Sequence, residues 1–69
     1  MFRRSNIDGY ITEFIIEHKN SIIEPGDVVH IKSSNYTFIA NRYNKNTKMI
    51  ELFCINDKKF YHFNINCLR

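Results

Sequence analysis

Apolar and polar residues alternate over short stretches of this chain, and such alternation predicts β-strands with one buried face. Polar or glycine-containing segments separate the stretches, as turns do. The segments predicted as strands are 10–17, 21–24, 27–32, 36–43, 48–55 and 59–65. The chain therefore reads as a series of short strands joined by tight turns.

A proline-glycine corner joins two of these strands within 22–33. Pro25 is the single proline, and its fixed φ suits the second position of a turn. Gly26 then supplies the positive φ that a type II turn requires. Val28, Val29 and Ile31 follow at once, with branched side chains that suit a half-buried strand.

The segment 10–17 is compatible with two structures. Ile7, Ile11, Phe14, Ile15 and His18 share one helical face, which allows a short N-terminal helix over residues 7–19. Tyr, Ile, Thr and Phe nevertheless favour strands, and Gly9 would cost a helix about 1 kcal/mol. We therefore predict a strand here and keep the helix as the alternative.

Alternation also predicts which residues of each strand face the core. In 27–32, Val29 and Ile31 share a face opposite Val28, His30 and Lys32. In 36–43, Tyr36, Phe38 and Ala40 oppose Thr37, Ile39, Asn41 and Tyr43. In 48–55, Ile50, Leu52 and Cys54 oppose Met49, Glu51, Phe53 and Ile55. Turns are predicted at 44–47 and 56–58, with a final helical turn at 66–69 and Leu68 tucked inside.

These elements predict an all-β fold, a small SH3-like barrel of five to six short antiparallel strands. Closure into a barrel would remove exposed strand edges. At 69 residues the chain is one domain, which we place at 7–69. Residues 1–6, with Arg3 and Arg4, are expected to form a flexible basic arm.

Composition and charge indicate which partners and which cellular location to expect. The net charge of +3 favours acidic partners, such as nucleic acid or an acidic protein surface. Two cysteines are too few for a disulfide scaffold, and neither a secretory leader nor a membrane-spanning apolar run is visible. We therefore expect a cytoplasmic protein without a membrane partner.

Residues 24–69 resemble an uncharacterised family of small bacterial SH3-like proteins. The resemblance rests on Pro-Gly-Asp-Val-Val-His-Ile-Lys-Ser at 25–33, where the family has a Pro-Gly-Asp-Val-Val-x-Leu-Lys-Ser type segment, and on Cys54 in a later strand. This chain has Ser34 and Asn35 where the family has glycines, and it lacks the family's Trp near the Cys. The resemblance implies a barrel fold and no particular function.

Residues 9–31 separately look like half of a lipoyl or biotinyl carrier domain. Gly-Tyr-Ile-Thr-Glu at 9–13 and Pro-Gly-Asp-Val-Val at 25–29 carry the likeness. Lys48-Met49 lies too far along the chain for the modified lysine of such a domain, and the second half of the motif is absent. The likeness supports a strand at 10–17 and does not favour a carrier role.

Catalytic or metal chemistry has little support in the sequence. Cys54, His62 and Cys67 could bind zinc only if separate strands brought them together, since no two potential ligands have the spacing of a zinc motif. Cys54 with His62 is the one candidate pair of nucleophile and base, and nothing else marks a catalytic site. We predict no enzyme activity, no cofactor and no metal.

Basic and aromatic residues interleave in the second half of the chain, a pattern typical of small barrels that bind single strands. The residues predicted to contact nucleic acid are Lys32, Tyr36, Arg42, Tyr43, Lys45, Lys48, Lys58 and Lys59. The alternative is a protein-interaction module, for example a phage- or mobile-element-encoded regulator of a host protein. So small a core also makes a homodimer plausible.

Overall fold

The computed structural model describes residues 9–69, so the expected basic arm at 1–6 lies outside the described residues. The strands are β1 (Tyr10–Ile11), β2 (Ile16–His18), β3 (Ser21–Ile23), β4 (Val28–Val29), β5 (Phe38–Asn44), β6 (Met49–Cys54) and β7 (Lys59–Asn64). A single 3₁₀ turn, Ile65–Cys67, follows β7. The prediction of an all-β fold is confirmed.

The main sheet is built around β5, whose two edges are both paired. β1 and β4 lie along one edge, at opposite ends of β5, and β6 lies along the other, with β7 beyond it. All of these pairs are antiparallel, and β2 and β3 form a separate hairpin. No ladder joins β7 to a strand other than β6 within residues 9–69, so barrel closure is not observed there.

The core lies against the inner face of this sheet. Phe38, Ile50, Leu52 and Cys54 point into it at cross-strand positions and are almost completely buried. Phe14, Ile16, Ile23, Val29 and Ile31 cover this face. Leu68 completes the core, as the sequence predicts, and it also pairs with Ile31 through an isolated bridge.

A β-bulge changes one predicted face. The β5–β6 register shifts between Ala40 and Arg42, so Asn41 has no partner in the ladder. A bulge adds one residue to a strand and reverses the alternation beyond it. Tyr43 therefore lies opposite Ile50 and is buried against Phe14, with ring centroids 5.8 Å apart. The prediction that Tyr43 shares a face with Ile39 is wrong.

The predicted strand at 10–17 is interrupted. β1 pairs with β5, whereas β2 pairs with β3, so the chain leaves one sheet and enters another between Ile11 and Ile16. A continuous strand cannot make that change, and the bend places Phe14 in the core. The alternative of a helix is also wrong for residues 9–19, where the structure has none.

Left-handed backbone conformations shape the turns. Gly26 has φ +92°, and Asp27 N donates to Glu24 O, as the predicted proline-glycine turn requires. Lys19 and Asn20 both have positive φ in the two-residue β2–β3 turn, which matches a type I′ hairpin. The β5–β6 and β6–β7 turns occupy 45–48 and 55–58, one residue away from their predicted positions, and the last 3₁₀ turn begins at Ile65 rather than at residue 66.

Candidate functional site

The outer face of the main sheet, opposite the core, carries the candidate site. Cross-strand pairing places Val28, Ile39, Phe53 and Phe60 in one row across β4, β5, β6 and β7. The neighbouring row holds Arg42, Glu51 and His62. Tyr10, at the start of β1, contacts the second row. These residues are defined together as the outer face.

A buried carboxylate organises the polar row. Arg42 donates through Nε to Glu51 Oε1 at 2.6 Å and through Nη2 to Oε2 at 3.0 Å, and Asn41 Nδ2 donates to Oε1 at 2.7 Å. His62 Nε2 lies 3.2 Å from Oε2, and since a carboxylate only accepts, this nitrogen is the donor. Arg42 foremost holds the pKa of Glu51 below its ordinary value, against the opposing effect of burial.

Four rings form an aromatic platform on the outer face: Tyr10, Phe53, Phe60 and His62. Phe53 and Phe60 lie 5.1 Å apart between centroids, and Tyr10 and His62 lie 5.3 Å apart. The Arg42 guanidinium sits 5.0 Å from the centre of the Tyr10 ring, a cation–π contact. Phe60 is 56% exposed. The platform thus offers π surface to solvent on a locally neutral background.

Lysines lie at both ends of this platform. Lys45 and Lys48 belong to the β5–β6 turn, and Lys58 and Lys59 to the β6–β7 turn and the start of β7; all four are exposed. Because β6 runs from one turn to the other, the two pairs are separated by about 20 Å. The structure therefore divides the predicted basic cluster into two pairs that bracket the outer face.

The remaining predicted site residues lie elsewhere or are already engaged. Tyr43 is buried in the core, and Arg42 is committed to Glu51. Tyr36 is exposed in the loop before β5, where its N–H donates to Ser34 Oγ, and it belongs to neither row of the outer face. Lys32 follows β4, and its N–H donates to Cys67 O near the end of the chain. Lys32, Tyr36 and Tyr43 are therefore not part of the outer face.

Sequence reasoning missed Glu51 and the aromatic platform. Tyr10 lies far from the platform's other residues in sequence, and only β1–β5 pairing brings it there. Glu51 could have been found by a specific signal: a lone acid within the apolar run Met49–Cys54 demands a charged partner if the strand is central.

Cys54 and His62 do not meet, because Cys54 points into the core and His62 lies on the outer face. Cys67 is half-buried in the 3₁₀ turn. Among the described residues, no group of three His, Cys, Asp or Glu side chains could hold a metal ion. The geometry gives no support to the zinc or nucleophile arrangements that the sequence left open.

A second polar contact lies at the β6–β7 turn. The Tyr61 hydroxyl donates to Asp57 Oδ2, and Lys59 N donates to Asp57 Oδ1 at 3.1 Å. The bond between the Tyr61 hydroxyl and Asp57 raises the pKa of Tyr61 to about 12 and lowers that of Asp57. Asp57 thereby links the β6–β7 turn to Tyr61 in β7.

A scan against protein-family models, a search of curated proteins and a search of solved structures each found no match to this chain. The resemblance to the SH3-like family therefore stays a prediction. Within residues 9–69, the structure has no helix of the length and apolarity needed to cross a bilayer.

Proposed function

We propose that the protein is a non-catalytic module that binds single-stranded nucleic acid across its outer face. The observation that carries the proposal is the aromatic platform, with a pair of exposed lysines at each end of its strands. Proteins that bind single strands combine such rings, on which bases stack, with cations that follow the phosphates.

The exposure of Phe60 supports this role. Its side chain contributes little to the core, yet it packs against Phe53 in a tilted ring pair and leaves 56% of its surface in water. Every base has a π-face, so stacking on such a ring is worth about 1–3 kcal/mol per base with little sequence preference. Tyr10 and His62 offer a second stacking position beside it.

The lysine pairs supply the electrostatic part. Each phosphate contact with a single strand contributes about 0.7 to the slope of log affinity against log salt. Lys45, Lys48, Lys58 and Lys59 have no salt bridge to an acidic side chain among the described residues. A strand lying along β6 would place phosphates at both turns and bases on the platform.

The test is fluorescence anisotropy of labelled single-stranded oligonucleotides of about 10 nucleotides, titrated between about 50 and 200 mM salt. Wild-type protein should bind at low salt and lose affinity steeply as salt rises. Phe60→Ala should weaken binding by about 5- to 100-fold. The matched control is Ile22→Ala, which trims an equally exposed apolar residue of the separate β2–β3 hairpin and should bind like wild type.

The lysines have their own control. Lys58→Ala and Lys59→Ala together should reduce the salt slope by about 1.4. Lys32→Ala should leave the slope unchanged, because Lys32 lies off the outer face. The proposal fails if no binding occurs at about 50 mM salt, or if Phe60→Ala binds as wild type does.

A protein partner is the second candidate, favoured by the aliphatic end of the apolar row. Val28 is 56% exposed and continues the row through Ile39 to Phe53, and such side chains do not stack with bases. Capture of a specific protein that survives nuclease treatment and is lost in Val28→Asp would support this candidate. Oligonucleotide binding unaffected by Val28→Asp would support the first.

A further inference from the structure

β7 is the outermost strand of the main sheet among the described residues, and one side of its backbone faces away from β6. Ile65 N donates to Lys48 O, which fixes the direction of the ladder. Antiparallel pairing alternates, so Phe63 and Tyr61 also bond to β6, whereas Phe60 and His62 direct their N–H and C=O groups outward. Groups that no other strand within residues 9–69 pairs with are a template for a further strand.

The core is also open at this edge. Tyr61 and Phe63 point to the inner face, and both are only half-buried. They stack on each other with centroids 6.1 Å apart and planes at 17°, and both present an edge-to-face contact to Phe38. Nothing described beyond β7 covers their outer sides.

We propose that a second copy of this chain pairs with β7 through its own β7, antiparallel and centred on His62. In this register, His62 lies opposite His62 of the second copy, and Phe60 lies opposite residue 64. On the inner face, Tyr61 meets Phe63 of the second copy, and Phe63 meets Tyr61. The two half-covered ring pairs then become one four-ring cluster that joins the two cores.

The two half-buried aromatic residues that flank His62 on the inner face favour a second copy as the occupant, because self-pairing about His62 sets each ring against another ring. A two-fold interface requires that if one residue contacts another, the reverse contact also occurs. Tyr61 and Phe63 satisfy this condition on the inner face, at the closely spaced positions of an antiparallel pair, where opposite side chains approach most closely. Lys59 of each copy falls opposite residue 65, so lysine does not face lysine.

The pairing is small, and the dimer is expected to be weak and concentration-dependent. The test is sedimentation equilibrium without nucleic acid, from about 10 μM to about 1 mM protein. Because no oligonucleotide is present, the outcome is independent of the nucleic-acid proposal. Wild type should shift from monomer to dimer over this range, and a monomer throughout would overturn the inference.

A matched pair of variants tests the backbone contact. His62→Pro removes the outward N–H while leaving the ladder to β6 intact, and proline is tolerated at such edge positions. His62→Ala removes the same side chain and keeps the N–H. Both variants lose the same side chain, so the difference between them reports on the N–H alone, and the proline variant should dimerise at least 10-fold more weakly than the alanine variant. Equal dimerisation of the two would overturn the pairing.

A further measurement does not depend on how well the proline variant folds. In a mixture of isotope-labelled and unlabelled wild-type chains, the register requires nuclear Overhauser contacts between Tyr61 of one copy and Phe63 of the other. Dimers without these contacts would refute the proposed register.

Discussion

The two faces of the main sheet differ sharply, although consecutive residues of the same strands supply both. On β6, Leu52 is fully buried in the core, and its neighbour Phe53 packs against Phe60 at the surface. The inner face is apolar and closed over most of its area. The outer face holds a buried ion pair and exposed rings that the core does not require. The difference indicates that inner residues specify the fold, whereas outer residues are available for recognition.

Truncating the two neighbours should separate these roles most clearly. Leu52→Ala should lower the free energy of unfolding by about 3 kcal/mol, because it leaves a cavity in a closed core. Phe53→Ala should lower it by about 1 kcal/mol, chiefly through the lost ring pair. Urea unfolding followed by circular dichroism measures both values.

Binding should show the opposite order. Folded Leu52→Ala should retain oligonucleotide affinity, and Phe53→Ala should lose at least about 5-fold through weaker stacking. If Leu52→Ala weakened binding as much as Phe53→Ala, the division between the two faces would not hold.

The charge on Glu51 provides a second, smaller contrast. Glu51→Gln keeps the shape of the side chain but removes the charge that Arg42 and His62 bind. Hydrogen bonds to charged groups contribute more than neutral ones, so the variant should lose about 2 kcal/mol of stability at neutral pH. Glu17→Gln, which changes an exposed carboxylate on β2, is the control and should lose almost nothing.

The pH dependence follows from the sign of the pKa shift. Because the pKa of Glu51 is lowered on folding, its contribution is fully present above its ordinary value of 4.5 and is lost as pH falls through the lowered pKa. Wild type and Glu51→Gln should therefore converge in stability in acid. A gap that does not narrow as pH falls below 4.5 would show that the ion pair does not stabilise the fold.

Much of the fold was predictable from alternation. Val29, Ile31, Ile50, Leu52 and Cys54 are buried as their positions in the strands indicate. Glycine and proline chemistry also placed the turn at Gly26 correctly. These features are local, and local sequence carries them.

The failures have non-local causes. The sequence around Asn41 does not indicate a bulge. Because of the register shift there, Tyr43 lies in the core and not in the predicted site. The bend after Ile11 arises because β1 pairs with β5, whereas β2 pairs with β3. The Tyr10–His62 half of the platform likewise depends on the pairing of β1 with β5. The charge pattern predicted which lysines could contact a partner, but it did not predict that they lie in two pairs at opposite ends of β6.

The smallest expected effects concern the two lysines in left-handed turns. Replacing either with glycine should raise stability and weaken nucleic-acid binding. Lys48 and Lys58 have φ of +64° and +63°, a conformation that glycine adopts without strain. Each closes a four-residue turn, and its N–H donates to the carbonyl of the strand's last residue at 2.8 Å. Lys48→Gly and Lys58→Gly should each raise stability by about 0.5 kcal/mol, after the greater freedom of glycine in the unfolded chain is subtracted.

The same variants should weaken nucleic-acid binding, since each removes a charge at one end of the outer face. Lys45→Gly is the matched control: it removes a charge from the same turn as Lys48 without relieving a positive φ, and should weaken binding with no gain in stability. Denaturant unfolding measures the change in stability, and salt-dependent anisotropy on the same preparations measures the change in binding. If the glycine variants gain stability but bind nucleic acid as wild type does, the lysines make no electrostatic contribution to binding, and that part of the proposal is wrong.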